Sequence, residues 1–270
     1  MRSILLHIHA DPCLEARLQL SLDVARAFGA HLTCLQVIPF DFVVPGDFYG
    51  TLAAEMVPIL KKGADELREE LAARLRNEDV AWDWRQEEGQ AVQSLLQASS
   101  LCDLVVMGAC DPVTQNRSPS RLAGELAIRA LVPVMIVPQS VRVFDVHGTA
   151  IVGWNGSVEA AHALKGALPL LANAQSVILA SAVGESERPG NIPSARAAEY
   201  LSRHRVGCEI LELPLEGGSA AQVLERTAAA RKASYLVIGA YGHNRLAEAV
   251  WGGVTRDLLS APPLPILAGH

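Results

Sequence analysis

One apolar segment appears twice, and that echo limits what this chain can fold into more than any other feature. Leu104-Val105-Val106-Met107-Gly108-Ala109 returns about 130 residues later as Tyr235-Leu236-Val237-Ile238-Gly239-Ala240. At nearly the same offset, Pro133-Val134-Met135-Ile136-Val137 returns as Pro265-Ile266-Leu267-Ala268. Near the starts, Asp11-Pro12-Cys13-Leu14-Glu15-Ala16 parallels Asn155-Gly156-Ser157-Val158-Glu159-Ala160. A repeat this long is a duplicated domain; solenoid units run to roughly 20–45 residues. The front offset is larger, so the first half carries extra residues between its second and fourth strands. The join falls near Val141 to Thr149, dividing the chain into domains 1–142 and 143–270.

Each half alternates strands and helices. Short runs such as Ile4–His9, His31–Ile38, Ala81–Gln86, Leu104–Gly108 and Val134–Val137 predict five strands in the first half. Ala150–Trp154, Val177–Val183, Cys208–Leu213, Leu236–Gly239 and Ile266–Ala268 predict five in the second. Between them, Leu14–Phe28, Ala53–Arg76, Gln90–Ser99, Ala160–Leu171, Ala195–His204 and Ala220–Ala230 carry apolar residues at helical spacing. Such alternation predicts an α/β fold: two doubly wound domains, each a five-stranded, mostly parallel sheet with helices on both faces. A hydrophobic content of 50% with only 5% aromatics suits aliphatic α/β cores.

The net charge of −6 argues against a nucleic-acid surface, which needs clustered basic residues. No apolar run approaches the roughly 20 residues that span a bilayer, so no membrane partner is expected. The first residues read as a strand and not as a signal peptide. Cys13, Cys34, Cys102, Cys110 and Cys208 are an odd, scattered set without Cys-x-x-Cys, which suits reduced thiols in the cytoplasm.

The chemistry concentrates near the C-terminus. Val237-Ile238-Gly239-Ala240-Tyr241-Gly242-His243 is followed, across a nine-residue spacer, by Gly252-Gly253-Val254-Thr255. A buried strand, a glycine loop and the first turn of a helix meet there. Glycines let the backbone turn sharply and leave amides uncovered, and a helix N-terminus favours anions. This spacing resembles the nucleotide loop of the universal stress protein family, Gly-x2-Gly-x9-Gly-(Ser/Thr), and the likeness extends over the whole chain as a tandem member. The resemblance implies a Rossmann-like fold of the adenine-nucleotide alpha-hydrolase type. It also implies an adenine nucleotide, ATP foremost and with Mg²⁺ as its companion, and a role in the stress response.

Carried onto this sequence, the implied site comprises Gly153, Asn155, Ala182, Gly239, Gly242, His243, Arg245, Gly252, Gly253, Val254 and Thr255. Two positions depart from the family pattern. Gly253 stands where relatives place Ser or Thr, which removes a hydroxyl but keeps the amide. Asn155 stands where relatives place Asp, which keeps an acceptor oxygen but loses charge. The competing reading of the glycines is a tight turn with close helix–sheet packing and no ligand. For Arg245 a solvated loop charge competes equally.

The first half keeps Asp11 but has Asp111 where the second glycine should be, and Pro112 and Pro119 remove amide donors. No nucleotide is expected there. His7 and His9 share a strand face without an evident third metal ligand, so a satisfied structural pair is the expectation. Ser157 reads as a helix N-cap. The aromatic segment Phe40, Phe42, Phe48 and Tyr49 reads as packing or a domain contact, with a lid or partner patch as alternatives. Cys110 beside Asp111 reads as a weak candidate for a redox thiol, since an adjacent carboxylate disfavours the thiolate.

No general base or metal-holding carboxylate is evident near the glycine loop. The expectation is therefore a cytoplasmic regulatory binder and not an enzyme, with slow ATP hydrolysis as one alternative. A ligand-free interaction or dimerisation module is the other. The short apolar last strands of the two halves invite edge pairing, either as an intramolecular pseudo-dimer or in a homodimer.

Overall fold

The computed structural model describes residues 1–39, 51–110, 120–183, 190–215, 217–240 and 253–270. The first half runs β1 (Ser3–Ile8), α1 (Leu14–Phe28), β2 (His31–Ile38), α2 (Thr51–Leu75), β3 (Trp82–Glu88), α3 (Ala91–Ser99), β4 (Leu104–Gly108), α4 (Arg121–Arg129) and β5 (Val134–Val137). The second runs β6 (Thr149–Gly153), α5 (Val158–Leu171), β7 (Ser176–Ala182), α6 (Ser194–Arg203), β8 (Glu209–Leu213), α7 (Ala220–Ala230), β9 (Ala233–Gly239), α8 (Gly253–Ser260) and β10 (Ile266–Gly269). The two halves repeat the same order, as the sequence echo requires.

Among the described residues ten strands join one sheet in the order β3-β2-β1-β4-β5-β10-β9-β6-β7-β8. Within each half the pairings are parallel. Between the halves β5 and β10 pair antiparallel, Met135 opposite Leu267. Each half is thus doubly wound, with its switch point between β1 and β4 or between β6 and β9.

Side-chain alternation sorts the core into two layers. Ile4, Leu6 and Ile8 of β1 face one layer with buried residues of α1, α2, α5 and α6. Leu5 faces the other, with buried residues of α3, α4, α7 and α8. Central strands are buried on both faces, while β3 and β8 at the sheet ends are half-buried or exposed. The join between the halves is packed down. Phe144 is buried, its N–H donates to Asp23 Oδ2 of α1 at 2.9 Å, and its ring lies 5.7 Å from Tyr235 of β9. Among the described residues no helix is long and apolar enough to cross a membrane.

Candidate functional site

In the second half three neighbouring strands end together. Gly153 closes β6 and pairs in register with Ile238 of β9 and Ala180 of β7, which places Gly239 and Ala182 at the same sheet edge. After Gly153 the chain turns through Trp154-Asn155-Gly156-Ser157 into α5. Asn155 Oδ1 accepts from the Ser157 N–H at 3.1 Å, and Ser157 Oγ accepts from the Ala160 N–H at 3.1 Å to cap the helix. The segment before α6 folds over this turn. Asn191 Nδ2 donates to the Asn155 carbonyl at 2.8 Å, Trp154 Nε1 donates to the Ile192 carbonyl at 3.0 Å, and the Ile192 N–H donates to the Gly156 carbonyl at 2.8 Å. Gly156 has φ +77°, and a Cβ there would stand 2.6 Å from Asn191 Cβ.

The predicted site residues divide into groups. A Cβ on Gly239 would lie 2.5 Å from the Ala160 backbone nitrogen, so this glycine is required by strand–helix packing. Thr255 is buried, and its hydroxyl donates to the Gly239 carbonyl at 3.4 Å, tying α8 to the end of β9. Gly253 opens α8, and a Cβ there would meet nothing within 4 Å. Val254 beside it is exposed, and so is Val183 just past Ala182. Gly153, Asn155, Ala182, Gly239, Gly253, Val254 and Thr255 therefore all belong to strand ends or turns of one sheet edge and to the helix start docked on it. Gly242, His243, Arg245 and Gly252 lie outside the described residues, as does the aromatic segment Phe40 to Tyr49.

The first half repeats the frame and fills it differently. Asp11 Oδ1 accepts from the Cys13 N–H at 2.8 Å, the counterpart of the Asn155 turn. Arg17 of α1, fully buried, then occupies the strand ends. Its Nη1 donates to both Asp11 oxygens at 2.7 Å, its Nε to the His7 carbonyl at 2.8 Å, and its Nη2 to the His9 carbonyl. A Cβ on Gly108, the counterpart of Gly239, would lie 2.6 Å from Arg17 Nη1. A guanidinium built into the chain thus sits at the switch point of this half.

Sequence reasoning missed Arg17. The available signal was its place on the row Arg17, Ser21, Val24, part of the stripe that α1 buries. Cys13 was missed as well: its sulfur lies 2.8 Å from that of Cys110. Burial first, and then Cys13 and Asp11, push the Cys110 thiol up to about 12. The expected influence of Asp111 falls outside the described residues. His7 is buried and held well below its ordinary value by burial, then by Arg17 and His9. Among the described residues no three His, Cys, Asp or Glu side chains gather as a metal site.

Residues 148–268 match the model of the universal stress protein family. A universal stress protein of Archaeoglobus fulgidus DSM 4304 superposes with a TM-score of 0.75 at 14% identity, over 99% of this chain and 97% of its own. A proposed universal stress protein of Pseudomonas aeruginosa UCBPP-PA14 gives 0.60 at 20% identity, over 100% and 93%. A functionally unknown protein of Pseudomonas aeruginosa PAO1 gives 0.59 at 20% identity, over 100% and 92%. At these identities the likeness is one of fold. No curated protein matches the sequence.

Proposed function

We propose that the second half, whose residues 148–268 match the universal stress protein family model, binds an adenine nucleotide, ATP foremost, as a regulatory ligand. The nucleotide would lie across the ends of β6, β7 and β9, where doubly wound sheets hold ligands. Its phosphates would meet the N-terminal amides of α8 and the glycine loop before it. Mg²⁺ would arrive bound to the triphosphate. The observation that carries this reading is Gly253: it stands at the start of α8 with open space where a side chain would be. Binding would act by favouring one conformation or partner over another.

The Asn155 oxygen already serves its own turn, which leaves its amide as the group to offer a nucleoside. With no carboxylate in that place, turnover is expected to be slow or absent.

The test is mass spectrometry of small molecules released from freshly purified, unfolded protein, paired with melting curves in ATP. Binding at a hundredfold excess over Kd stabilises by about 2.7 kcal/mol, a rise of a few degrees. A Gly242→Asp variant is expected to lose both the bound nucleotide and the rise. Gly253→Ser, which restores the hydroxyl of the family pattern, is expected to tighten binding. An empty wild-type protein with no ATP-dependent shift would favour the interaction-module reading.

A further inference from the structure

The strand ends of the first half carry a pair of thiols that the nucleotide reading leaves unused. Cys13 lies in the turn after β1, at the N-cap of α1, and Cys110 lies two residues beyond the end of β4. They are far apart in sequence, yet their sulfurs stand 2.8 Å apart. Both are free cysteines. A disulfide needs about 2.05 Å, so closing the bond takes a movement of less than about 1 Å.

The frame holds both thiols in place. The Cys13 N–H is bound to Asp11, which Arg17 fixes, and the Cys13 carbonyl accepts from the Arg17 N–H at 3.0 Å. Next to Cys110, the Ala109 N–H donates to the Val137 carbonyl at 2.9 Å. The other three cysteines are placed elsewhere. Cys34 is buried in the core beneath α1 and α2, the Cys102 thiol donates to the Ala98 carbonyl, and Cys208 packs at the margin of the second half.

We propose that Cys13 and Cys110 form a reversible disulfide, a redox-responsive clasp that ties the turn after β1 to the end of β4. The partly exposed Cys110 meets the oxidant first, and Cys13, fully buried, is the resolving thiol. With hydrogen peroxide as the oxidant class, the Cys110 thiol becomes a sulfenic acid and one water is released. The Cys13 sulfur then attacks the Cys110 sulfur. The S–S bond forms, the S–O bond breaks, and the departing hydroxide takes the Cys13 proton as a second water. Two electrons leave the pair, and one peroxide is reduced to two waters. A dithiol reductant reverses the change by exchange.

The environment sets the tempo. Burial and the neighbouring Cys13 and Asp11 disfavour the Cys110 thiolate, so the clasp closes slowly at neutral pH and faster in alkali. That pace suits sustained oxidation and not a brief pulse.

The test oxidises the intact full-length chain with hydrogen peroxide, then unfolds it, alkylates it with N-ethylmaleimide and weighs it. Alkylatable thiols are expected to fall from five to three. Peptide mapping is expected to find Cys13 joined to Cys110, and dithiothreitol to restore all five. A Cys34→Ser, Cys102→Ser, Cys208→Ser variant should still form the bond, and Cys110→Ser should not. Cys13 is buried, so Cys13→Ser is read only if its circular dichroism matches the wild type; otherwise the peptide map of the triple variant decides. Five alkylatable thiols after oxidation would overturn the proposal. So would a bond joining any other pair or two separate chains.

Discussion

Arg17 is a guanidinium without solvent, and its charge is met by one carboxylate and two carbonyls. Removing one partner of such a pair leaves the other buried and alone. Arg17→Met is expected to cost about 3–5 kcal/mol, read as a lower urea midpoint. Combining it with Asp11→Asn is expected to recover part of the loss, because the turn at Cys13 survives and no lone charge remains. His7 beside it gives a pH signature. Its folded pKa is lowered, so the unfolded chain takes up this proton first as pH falls. The contribution is complete above the unfolded value of about 6.5 and is lost below it, by up to about 1.4 kcal/mol per pH unit. Denaturant titrations from pH 7 to 5 are expected to show that decline in the wild type and a flatter profile in His7→Phe. Asp83 and Asp103, whose pKa values are also lowered, add their losses only below about 3.8. The sequence pointed to Asp11 and Asn155 as matching strand ends. It did not show that Arg17 reaches back to the first, since that contact depends on how α1 lies against β1.

Among the elements, the glycines separate packing from opportunity. A Cβ on Gly239 would press on the backbone of α5, which cannot yield as a side-chain tip can. Gly239→Ala is expected to destabilise by about 1–3 kcal/mol. Gly253→Ala, with open space around it, is expected to stay within about 0.5 kcal/mol; paired thermal melts check both. The competing reading of the glycine motif, as tight packing, therefore fits Gly239 better than Gly253. Strands and helices were legible because apolar runs and helical spacing repeat across the two halves. Boundaries were less so: β3 was expected over Ala81–Gln86 and runs Trp82–Glu88, a polar strand at a sheet end where burial exerts little selection on sequence. The turn at Asn155 was legible only as a strand end. Its cover by Asn191 and Ile192 comes from a segment distant in sequence, which local pattern cannot reveal.

At the scale of the molecule, one apolar layer takes buried residues from both halves, and Phe144 bridges α1 and β9. The chain is therefore expected to unfold as one unit. Urea curves followed separately by Trp84 in the first half and Trp154 in the second, each with the other tryptophans replaced by phenylalanine, are expected to share a midpoint. Two separated midpoints would mean the halves unfold independently. The duplication was plain from sequence, and edge pairing of the last strands was one of two arrangements it allowed. The direction of the β5–β10 pairing was visible only in three dimensions, and it has a further consequence. Parallel strands within each half, joined by one antiparallel ladder, send the carboxyl ends of the two halves to opposite rims of the sheet. The Arg17 and thiol end and the Gly253 end are thus antipodal, separated by at least a strand length of roughly 15–20 Å. Neither end can crowd the other. On the two proposals, the oxidant would act at one pole and the anion would bind at the other, with the sheet and the apolar layer shared by both halves lying between them.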